Sequence, residues 1–551
     1  MKKSINSAFI SVFHKMNGLD LVVKKLHELG VSISSTGGTA DFIKNLGIPV
    51  IEAETITGYP SILGGRVKTL HPKIMGGILA RRENAGDIEE LKKYQIPEID
   101  LVIVDLYPFE QTVASGASHD EIVEKIDIGG ISLIRAAAKN YNDVTIIASM
   151  QQYPALLDIL QTQGTEISEQ QRYDFATKAF VVASVYDLAI AMYFGQGDYY
   201  GIIGEKIRDL RYGENPWQKA FGLFKTFGED DHLGLDKIQW LVGNPGFINL
   251  TDPDRMLQTI THVIAGYHQN HLWQSMGLKD GELPYVAIGV KHGNPCGAAI
   301  NSCDPAEVLR QMLDGNLISI FGGAVITNFT ITKEFAEILL HYHCEAKKRL
   351  LDIIIAPAID DEALEILKRK NDACKIGTLS ALATMGSDCL DKSILLRKVR
   401  GGFMSQQNYD SIIDLRDIQK FGSTRTIRQD DRVNLILGLA ICATSNSNTI
   451  VLIKNQMLIG AGVGQKDRLK CCDLAVEMAQ EAGHITANAL AVSDSFFPFD
   501  DGPKKLINAG VRTIFSPSGS QNDKATIDLC EKEEIALWMI PNTEGRMFYA
   551  H

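Results

Sequence analysis

The first 195 residues alternate short apolar segments with segments of helical periodicity, and this alternation restricts the fold more than any other feature. Continuous apolar runs are typical of strands that are buried on both faces of a sheet. We predict strands at residues 5–13, 31–35, 99–106 and 144–148, and helices at residues 18–29, 118–125, 130–140 and 169–194. This order predicts an α/β domain with a doubly wound parallel sheet.

A change in composition after residue 194 divides the chain. Residues 195–198 are polar and turn-forming, so we predict a first domain at residues 1–197 and a second region at residues 198–551. The second region is also α/β, although no repeat of fixed period is visible in it. Residues 377–407 lack clear periodicity, and we expect two subdomains with a boundary there. Further strands are expected at residues 285–290, 352–356, 449–454, 489–493 and 512–515.

Composition excludes several classes of function. The formal net charge is −12, whereas nucleic-acid-binding domains carry a basic field. The nine cysteines all lie in the second half and form no CxxC pair, which indicates free thiols in a reducing compartment. No stretch of 18 apolar residues and no apolar signal segment is visible. We therefore expect a cytoplasmic protein that binds neither nucleic acid nor a membrane.

Two segments of the first domain are suited to binding an anion. Residues 36–39 are Thr-Gly-Gly-Thr between a predicted strand and a helix, where backbone N–H groups and the helix N-terminus can approach a phosphate. Residues 66–73 contain an arginine, two lysines and a histidine in an otherwise acidic protein. We interpret this segment as an anion clamp that also supplies a proton donor or acceptor, with a solvated basic loop as the alternative.

Acid–base groups occur at other predicted strand and helix ends. Tyr107 follows an apolar strand, and Asp127 precedes a Gly-Gly pair at the start of a helix. Lys139 lies further along that helix, and Lys68 belongs to the basic segment. Two cations, a phenol and a carboxylate suit proton transfer on a heterocycle without a redox cofactor, which is typically worth about 10²–10⁴-fold in rate.

The second region places Lys291 and His292 at the end of a predicted strand, before a loop at residues 293–297. His292 is suited to act as a general base near neutral pH, and Lys291 could stabilise developing negative charge. Zinc-dependent deaminases use His-x-Glu with Pro-Cys-x-x-Cys. Here a Gly-Asn pair follows His292, and Ala299 occupies the second cysteine position, so we predict no catalytic metal.

Several strings of the sequence carry a resemblance to one family. They are SSTGGTA, GGRVKTLHPK, DLYPFEQTVASG, EKIDIGGISLIRAAAKN, LRYGENP, KHGNPCG and SDSFFPF. With them the chain resembles the bifunctional AICAR transformylase/IMP cyclohydrolase family over nearly its whole length, most densely up to residue 140. The resemblance implies a methylglyoxal-synthase-like first domain with cyclohydrolase activity. It also implies two cytidine-deaminase-like α/β subdomains with transformylase activity, which together perform the last two steps of purine biosynthesis.

The resemblance implies roles for residues of the first domain. In the implied reaction, the carboxamide nitrogen of formyl-AICAR attacks the formyl carbon, and water leaves to give IMP. The positions that match the ring-closing site are Lys68, Tyr107, Asp127 and Lys139, and those that match nucleotide-binding positions are Lys15, Thr36, Gly37, Gly38, Thr39, Arg66, Thr69 and Gly129.

The resemblance likewise implies a transformylase site in the second region. His292 would deprotonate the 5-amino group of AICAR, which attacks the formyl carbon of the cosubstrate 10-formyltetrahydrofolate. Lys291 and Asn448 would stabilise the tetrahedral centre. The family implies a homodimer with this site at its interface, and it is compatible with a structural monovalent cation. The positions that match substrate contacts are Arg211, Tyr212, Phe321, Gly322, Asp352, Arg468, Phe496, Arg546 and His551.

Several positions of the second region depart from the family pattern. Trp217 replaces a histidine, Ala443 replaces a basic residue, and residues 316–317 are Asn-Leu instead of Asp-Pro. The C-terminal Arg-x-Phe-x-His motif is one residue longer here, from Arg546 to His551. These departures leave open a cyclohydrolase whose second region is degenerate or repurposed. A second alternative is a non-catalytic nucleotide-sensing protein, since methylglyoxal-synthase-like domains also serve as allosteric binding modules elsewhere.

Overall fold

The structure, a computed structural model, describes residues 2–15, 17–219, 222–228, 230–344, 347–422 and 429–549. The chain divides into two compact units, Met1–Ile203 and Gly204–His551, here called unit 1 and unit 2.

Unit 1 alternates strands and helices. Its strands are β1 Lys2–Ser4, β2 Ser7–Ser11, β3 Ser32–Ser35, β4 Ile51–Glu52, β5 Leu101–Val104, β6 Thr145–Ile147 and β7 Glu166–Ser168. Its helices are α1 Leu19–Glu28, α2 Gly37–Asn45, α3 Ala53–Thr57, α4 Pro72–Leu79, α5 Ala85–Lys93, α6 Phe109–Ala114, α7 His119–Val123, α8 Gly129–Lys139, α9 Tyr153–Thr162 and α10 Glu169–Gly195. Helices α4, α5 and α9 and the short antiparallel pair β1–β7 were not predicted from the apolar pattern.

A parallel sheet of order β4-β3-β2-β5-β6 forms the core of unit 1. Every residue of β5 is buried, as expected for a strand that helices cover on both faces. The chain moves outward from β2 through β3 to β4 and then returns to β5 on the other side of β2. The doubly wound parallel sheet is thus confirmed, and its switch point between β2 and β5 is where ligands gather in such sheets.

Helix α10 is the one helix within the described ranges that is long and apolar enough to cross a membrane by length and composition. It packs on α8 and β6, and it buries Phe175, Ala179, Ala183 and Tyr186 within unit 1. These contacts cover one part of the helix, whereas Tyr173, Phe180 and Phe194 are exposed.

Unit 2 also alternates strands and helices. Its strands are β8 Gly204–Arg208, β9 Leu223–Thr226, β10 Gln239–Val242, β11 Tyr285–Lys291, β12 Asn294–Asn301, β13 Gly323–Thr327, β14 Leu351–Ala356, β15 Lys375–Thr378, β16 Ile394–Val399, β17 Gly402–Gln407, β18 Gln419–Gly422, β19 Ile450–Lys454, β20 Met457–Gly462, β21 Leu490–Ser493, β22 Thr513–Ser518 and β23 Ala536–Pro541. Its helices are α11 Ile248–Gln269, α12 Pro305–Asp314, α13 Lys333–His341, α14 Asp361–Leu367, α15 Gln429–Ala443, α16 Arg468–Glu481, α17 Asp501–Asn508, α18 Asp523–Lys532 and α19 Asn542–Gly545. The predicted loop after His292 is wrong, because a two-residue turn leads directly into β12.

A mixed twelve-stranded sheet joins two similar halves of unit 2. Its order is β10-β15-β14-β13-β11-β12-β20-β19-β21-β22-β23-β18. Each half contains an antiparallel hairpin, β11–β12 or β19–β20, followed outward by one antiparallel neighbour, two parallel strands and an antiparallel edge strand. The halves meet where β12 pairs with β20. Unit 2 is thus α/β as expected, with two halves of the same strand arrangement joined in one sheet, and this duplication is seen in the backbone rather than as a repeat in the sequence.

The directions of the strands bring several strand ends together along one side of this sheet, where the strands begin or end. The β11–β12 turn lies there with the starts of β13, β14 and β19 and the ends of β20 and β21. We call this the His292 edge. The β19–β20 turn lies at the opposite edge, called the Asn455 edge, with the start of β11 and the end of β13. Side chains from distant parts of the sequence therefore meet at the His292 edge.

Candidate active sites

The carboxyl edge of the unit 1 sheet brings the two predicted anion-binding segments together. A Cβ placed on Gly38 would lie 3.7 Å from Lys15 Nζ, and one placed on Gly37 would lie 3.9 Å from Lys68 Nζ. Both ammonium groups therefore lie beside the start of α2, where the first backbone N–H groups lack partners within the helix. Two cations and a helix N-terminus form a site for a phosphate-sized anion.

The two threonine hydroxyls of this turn serve the fold. Thr39 Oγ1 accepts a hydrogen bond from the Val12 N–H at 3.1 Å and donates one to the Val12 carbonyl at 2.9 Å. Thr36 Oγ1 hydrogen-bonds Ser11 Oγ at 2.8 Å. Both threonines are buried, so they attach the turn to the end of β2 and leave anion contact to backbone N–H groups and lysines.

The loop at residues 64–71, which contains most of the basic segment predicted at residues 66–73, reaches the start of α8. A Cβ placed on Gly129 would lie 3.0 Å from Thr69 Oγ1. A Cβ on Gly65 would lie 2.8 Å from Lys68 Cε, and Gly65 has a φ of +95°. Glycine therefore gives the Lys68 side chain the space to fold back over the loop toward the anion site.

The other two basic residues of this loop, Arg66 and His71, have partners within unit 1. Arg66 forms an exposed ion pair with Glu124. His71 caps α4, because its Nδ1 accepts a hydrogen bond from the Lys73 N–H at 3.2 Å. An exposed ion pair is worth little, so Arg66 can exchange Glu124 for a substrate anion at low cost.

Asp127 is held just before α8 by backbone groups. Its Oδ1 accepts a hydrogen bond from the Gly130 N–H at 2.6 Å, and its own N–H donates to the Tyr186 hydroxyl at 2.8 Å. Burial raises the pKa of the Asp127 carboxyl, while backbone N–H groups that include those of Gly130 and Tyr107 lower it. Asp127 therefore holds a proton more readily than an exposed aspartate does.

Tyr107 supplies a proton donor at the same edge. Burial, and then the negative charge of Asp127, raise the pKa of the Tyr107 phenol, so it keeps its proton at neutral pH. Lys125 Nζ lies 5.9 Å from the ring centre of Tyr107 and 5.7 Å from that of Phe13. Lys125 and Phe13 could not be identified from the sequence, because their contacts with Tyr107 depend on the folded loops.

A buried carboxylate that the sequence did not single out organises this edge. Asp105 directly follows β5 and accepts hydrogen bonds from the backbone N–H groups of Phe13 and His14. His14 Nδ1 also lies 2.8 Å from Asp105 Oδ2. Asp105 thereby ties the loop after β2 to the loop after β5, and the only sequence signal was its position at a strand end.

We expect Asp105→Ala to destabilise unit 1 by about 2 kcal/mol, because the Phe13 and His14 N–H groups lose a partly buried acceptor. His14→Ala removes the side-chain contact alone and should cost about 1 kcal/mol. Urea unfolding followed by far-UV circular dichroism measures both effects. All four tryptophans lie beyond residue 203, so their fluorescence reports unit 2 as an internal control. Equal unfolding midpoints for wild type and Asp105→Ala would contradict this assignment.

The structure does not bring Lys139 to the other predicted ring-closing residues of the same chain. Lys139 is the last residue of α8, whereas Asp127 precedes the first turn of that helix. Ten residues separate Gly129 from Lys139, a rise of about 15 Å at 1.5 Å per residue. Because α8 runs back toward the start of β6, the exposed Lys139 lies at the opposite edge of the sheet. The expectation that Lys139 joins Lys68 is therefore wrong within one subunit.

In unit 2, the His292 edge places the predicted general base in a tight turn. His292 is exposed and has a φ of +52°. Lys291 Nζ donates a hydrogen bond to the Phe321 carbonyl. A Cβ placed on Gly322 would lie 3.9 Å from both Lys291 Nζ and Asp352 Oδ2. Predicted residues from the end of β11, the segment before β13 and the start of β14 thus meet around His292.

Asn448 belongs to a buried network on the other half of this edge. Its Oδ1 accepts a hydrogen bond from Arg468, and its Nδ2 donates to the Gln465 carbonyl at 2.7 Å. Arg468 also forms a buried ion pair with Asp494, which is fully buried. Asp494 was not predicted, and it fixes the orientation of Arg468 and hence that of the Asn448 amide.

The remaining predicted substrate contacts lie around the same edge or outside the described residues. Tyr212 hydroxyl donates to Asn249 Oδ1 at 3.3 Å, which joins the segment of Arg211 and Tyr212 to the start of α11. Phe496 follows β21. Arg546 precedes a residue whose N–H donates to the Asp494 carbonyl at 2.9 Å. His551 lies outside the described residues.

Metal-ligating side chains do not cluster in the described part of the chain, where no group of three or more His, Cys, Asp or Glu could hold an ion. Cys296, the cysteine nearest His292 in sequence, is a thiol rather than a thiolate, because burial raises its pKa to about 12.

Comparison with known proteins identifies the family of the chain. The AICARFT/IMPCHase bienzyme family model matches residues 137–478, and the MGS-like domain model matches residues 18–132. The bifunctional purine biosynthesis protein PurH of Bacteroides thetaiotaomicron is 41% identical over 538 residues, which span 97% of this chain and 97% of that protein. The protein of the same name from Acetivibrio thermocellus is 35% identical over 97% of this chain and 98% of its own length. A crystal structure of ForH is 34% identical, with a TM-score of 0.31, over 35% of this chain and 100% of that one. The chain therefore belongs to the AICARFT/IMPCHase bienzyme family.

Proposed function

We propose that this chain catalyses two consecutive reactions of purine biosynthesis. The first is formyl transfer from 10-formyltetrahydrofolate to AICAR, and the second is ring closure of formyl-AICAR to IMP. The observation that carries the proposal is the presence of two separate sets of acid–base groups, one at a sheet edge of each unit. The full-length similarity to proteins named bifunctional purine biosynthesis protein supports the same assignment.

Formyl transfer is assigned to the His292 edge. His292 takes a proton from the 5-amino group of AICAR, and the amine nitrogen forms a bond to the formyl carbon. The bond between that carbon and the tetrahydrofolate nitrogen then breaks, and the leaving nitrogen receives the proton from His292. The Lys291 ammonium has three donors, of which one is used by the Phe321 carbonyl, so it can also stabilise the oxyanion. The Asn448 amide is assigned to the same oxyanion.

Ring closure is assigned to the carboxyl edge of the unit 1 sheet. Lys15, Lys68 and the start of α2 hold the phosphate, and Lys68 can also contact the closing ring. As the carboxamide nitrogen bonds to the formyl carbon, Asp127 accepts a proton from that nitrogen and Tyr107 protonates the formyl oxygen. The bond between the carbon and this hydroxyl then breaks, water leaves with the proton held by Asp127, and the formamide N–H proton returns to Tyr107. Both reacting groups belong to one substrate, so fixing its conformation contributes much of the rate.

Assays of the two half-reactions on one preparation test the proposal. Formyl-AICAR supplied alone should be converted to IMP, and AICAR with 10-formyltetrahydrofolate should release tetrahydrofolate. A preparation that closes formyl-AICAR but never turns over the folate would refute the assignment of the His292 edge.

We expect Trp217→His to change kcat/KM for formyl transfer by less than about threefold. Trp217 is 79% exposed, so its indole does not fill the His292 edge of its own chain. Steady-state rates with AICAR as the varied substrate measure the effect. An increase of tenfold or more, about 1.4 kcal/mol of transition-state stabilisation, would instead favour a second unit that has lost transformylase function.

We further propose that the protein is a cytoplasmic homodimer in which unit 2 supplies the contact. Ile318 is 83% exposed, and Phe321 at the His292 edge is half exposed. Exposed apolar groups beside a site are typical of a surface that another chain covers. All nine cysteines are free, which suits a reducing compartment. The proposed cosubstrate is 10-formyltetrahydrofolate; we propose no catalytic metal and allow for a structural monovalent cation.

A further inference from the structure

The two halves of the unit 2 sheet carry corresponding hairpin turns at opposite edges. At the His292 edge, His292 and Gly293 have φ values of +52° and +71°. At the Asn455 edge, Asn455 and Gln456 have φ values of +52° and +63°. The same two-residue turn therefore occurs twice, once with an imidazole at its first position and once with an amide.

Each turn is held by the same hydrogen bond from a helix. The Gly293 N–H donates to Asp252 Oδ1 of α11 at 2.7 Å. The Gln456 N–H donates to Asn434 Oδ1 of α15, also at 2.7 Å. Asp252 and Asn434 are both buried, so the duplicated turn needs an acceptor oxygen at this place and does not need a charge.

A second pair of corresponding positions also has a carboxylate at the His292 edge and an amide at the Asn455 edge. Asp494 Oδ2 accepts a hydrogen bond from the Thr449 N–H at 2.9 Å at the His292 edge. Asn328 Oδ1 accepts one from the Val286 N–H at 2.8 Å at the Asn455 edge. Burying a carboxylate costs more free energy than burying an amide. The backbone hydrogen bonds at the His292 edge need only an acceptor oxygen, so the negative charges of these carboxylates must have a different role.

The groups around Asp252 indicate the role of its negative charge. Burial raises the pKa of the Asp252 carboxyl, whereas the Gly293 N–H and the positive charges of His292 and Arg255 lower it. Asp252 thus lies close enough to His292 to interact with its positive form, and the corresponding pair at the other edge, Asn434 and Asn455, carries no charge. The titratable and charged groups around the His292 turn are Asp252, Arg255, Lys291, Cys296 and Asp352.

We propose that Asp252 is the positioning residue of the general base His292 in formyl transfer. Its oxygen fixes the turn through the Gly293 N–H, and its negative charge stabilises the imidazolium that forms when His292 takes the proton of the AICAR amine. The proton leaves again on the tetrahydrofolate nitrogen, and Asp252 stays ionised throughout. This inference rests on the proposed transformylase function.

Asp252→Asn tests the proposal, because it keeps the acceptor oxygen and removes the charge. We expect kcat for formyl transfer to fall about 10- to 100-fold with little change in KM for AICAR. Without the carboxylate the imidazolium is less stable, so the rising limb of the pH–rate profile should move to lower pH. Ring closure of formyl-AICAR in the same samples should stay at the wild-type rate.

Asn434→Asp is the matched control, because it places a carboxylate in the duplicate turn where no histidine is present. It should leave formyl transfer within about twofold of wild type, since the Asn455 edge is remote from His292. A wild-type rate with an unmoved pH profile in Asp252→Asn would overturn the proposal. A failure of Asp252→Asn to fold would overturn it as well, because an amide is sufficient at Asn434.

His292→Asn separates this proposal from the proposed function. If His292→Asn retains full formyl transfer, the assignment of the base is wrong, and the role of Asp252 falls with it. If His292→Asn is inactive while Asp252→Asn has wild-type kcat and an unchanged pH profile, only the role of Asp252 is wrong.

Discussion

Replacing His292 by asparagine is expected to reduce formyl transfer by about 10²–10⁴-fold, the usual contribution of a general base. The substitution should not disturb the turn, because Asn455 occupies the corresponding position with the same φ of +52°. Asparagine also tolerates the left-handed conformation better than most residues. The measurement is the initial rate of tetrahydrofolate release with saturating AICAR.

Ring closure provides the control for this variant. His292 belongs to unit 2, and the ring-closing groups belong to unit 1, so conversion of added formyl-AICAR to IMP should be unchanged. A His292→Asn enzyme with more than about a tenth of the wild-type transfer rate would contradict the assignment of His292 as the base.

Lys68→Ala is expected to slow ring closure by about 10²–10³-fold, the cost of removing one electrostatic contact from a site of this type. The Lys68 ammonium lies beside Gly37, so the KM for formyl-AICAR should rise as well. Supplied with AICAR and 10-formyltetrahydrofolate, the variant should accumulate formyl-AICAR while formyl transfer continues. Chromatographic separation of formyl-AICAR from IMP measures this directly.

Lys139→Ala is the informative comparison for Lys68→Ala. Both variants remove one positive charge, but a lysine side chain cannot span the length of α8. We expect Lys139→Ala to close the ring at more than about half the wild-type rate, because it lacks the electrostatic contact assigned to Lys68. A loss as large as that of Lys68→Ala would mean that a lysine from a second copy enters the site.

The parts of the fold that could be predicted depend on local patterns. The apolar run that contains β5 and the glycine turn before α2 indicated a parallel sheet with an anion site at its carboxyl edge. Lys139 was misplaced because its motif is continuous with Asp127 in sequence, whereas a helix carries its two ends apart. Residues of one continuous motif therefore need not belong to one site.

The parts that could not be predicted depend on contacts between distant segments. Asp105 and His14 are 91 residues apart, and Asp252 and Gly293 are 41 residues apart. The duplication in unit 2 could not be detected in the sequence, because its two halves have the same strand pairing but different residue types at corresponding positions. Asp252 and Asn434 make the same bond with different residue types, so comparison of residues alone does not pair them.

One time course tests whether a single chain carries AICAR through both reactions. Purified protein should be supplied with AICAR and 10-formyltetrahydrofolate, and both IMP and tetrahydrofolate should be quantified over time. We expect equal amounts of the two products, with formyl-AICAR accumulating only transiently. Folate release without IMP, or IMP formation from added formyl-AICAR without any folate release, would contradict it.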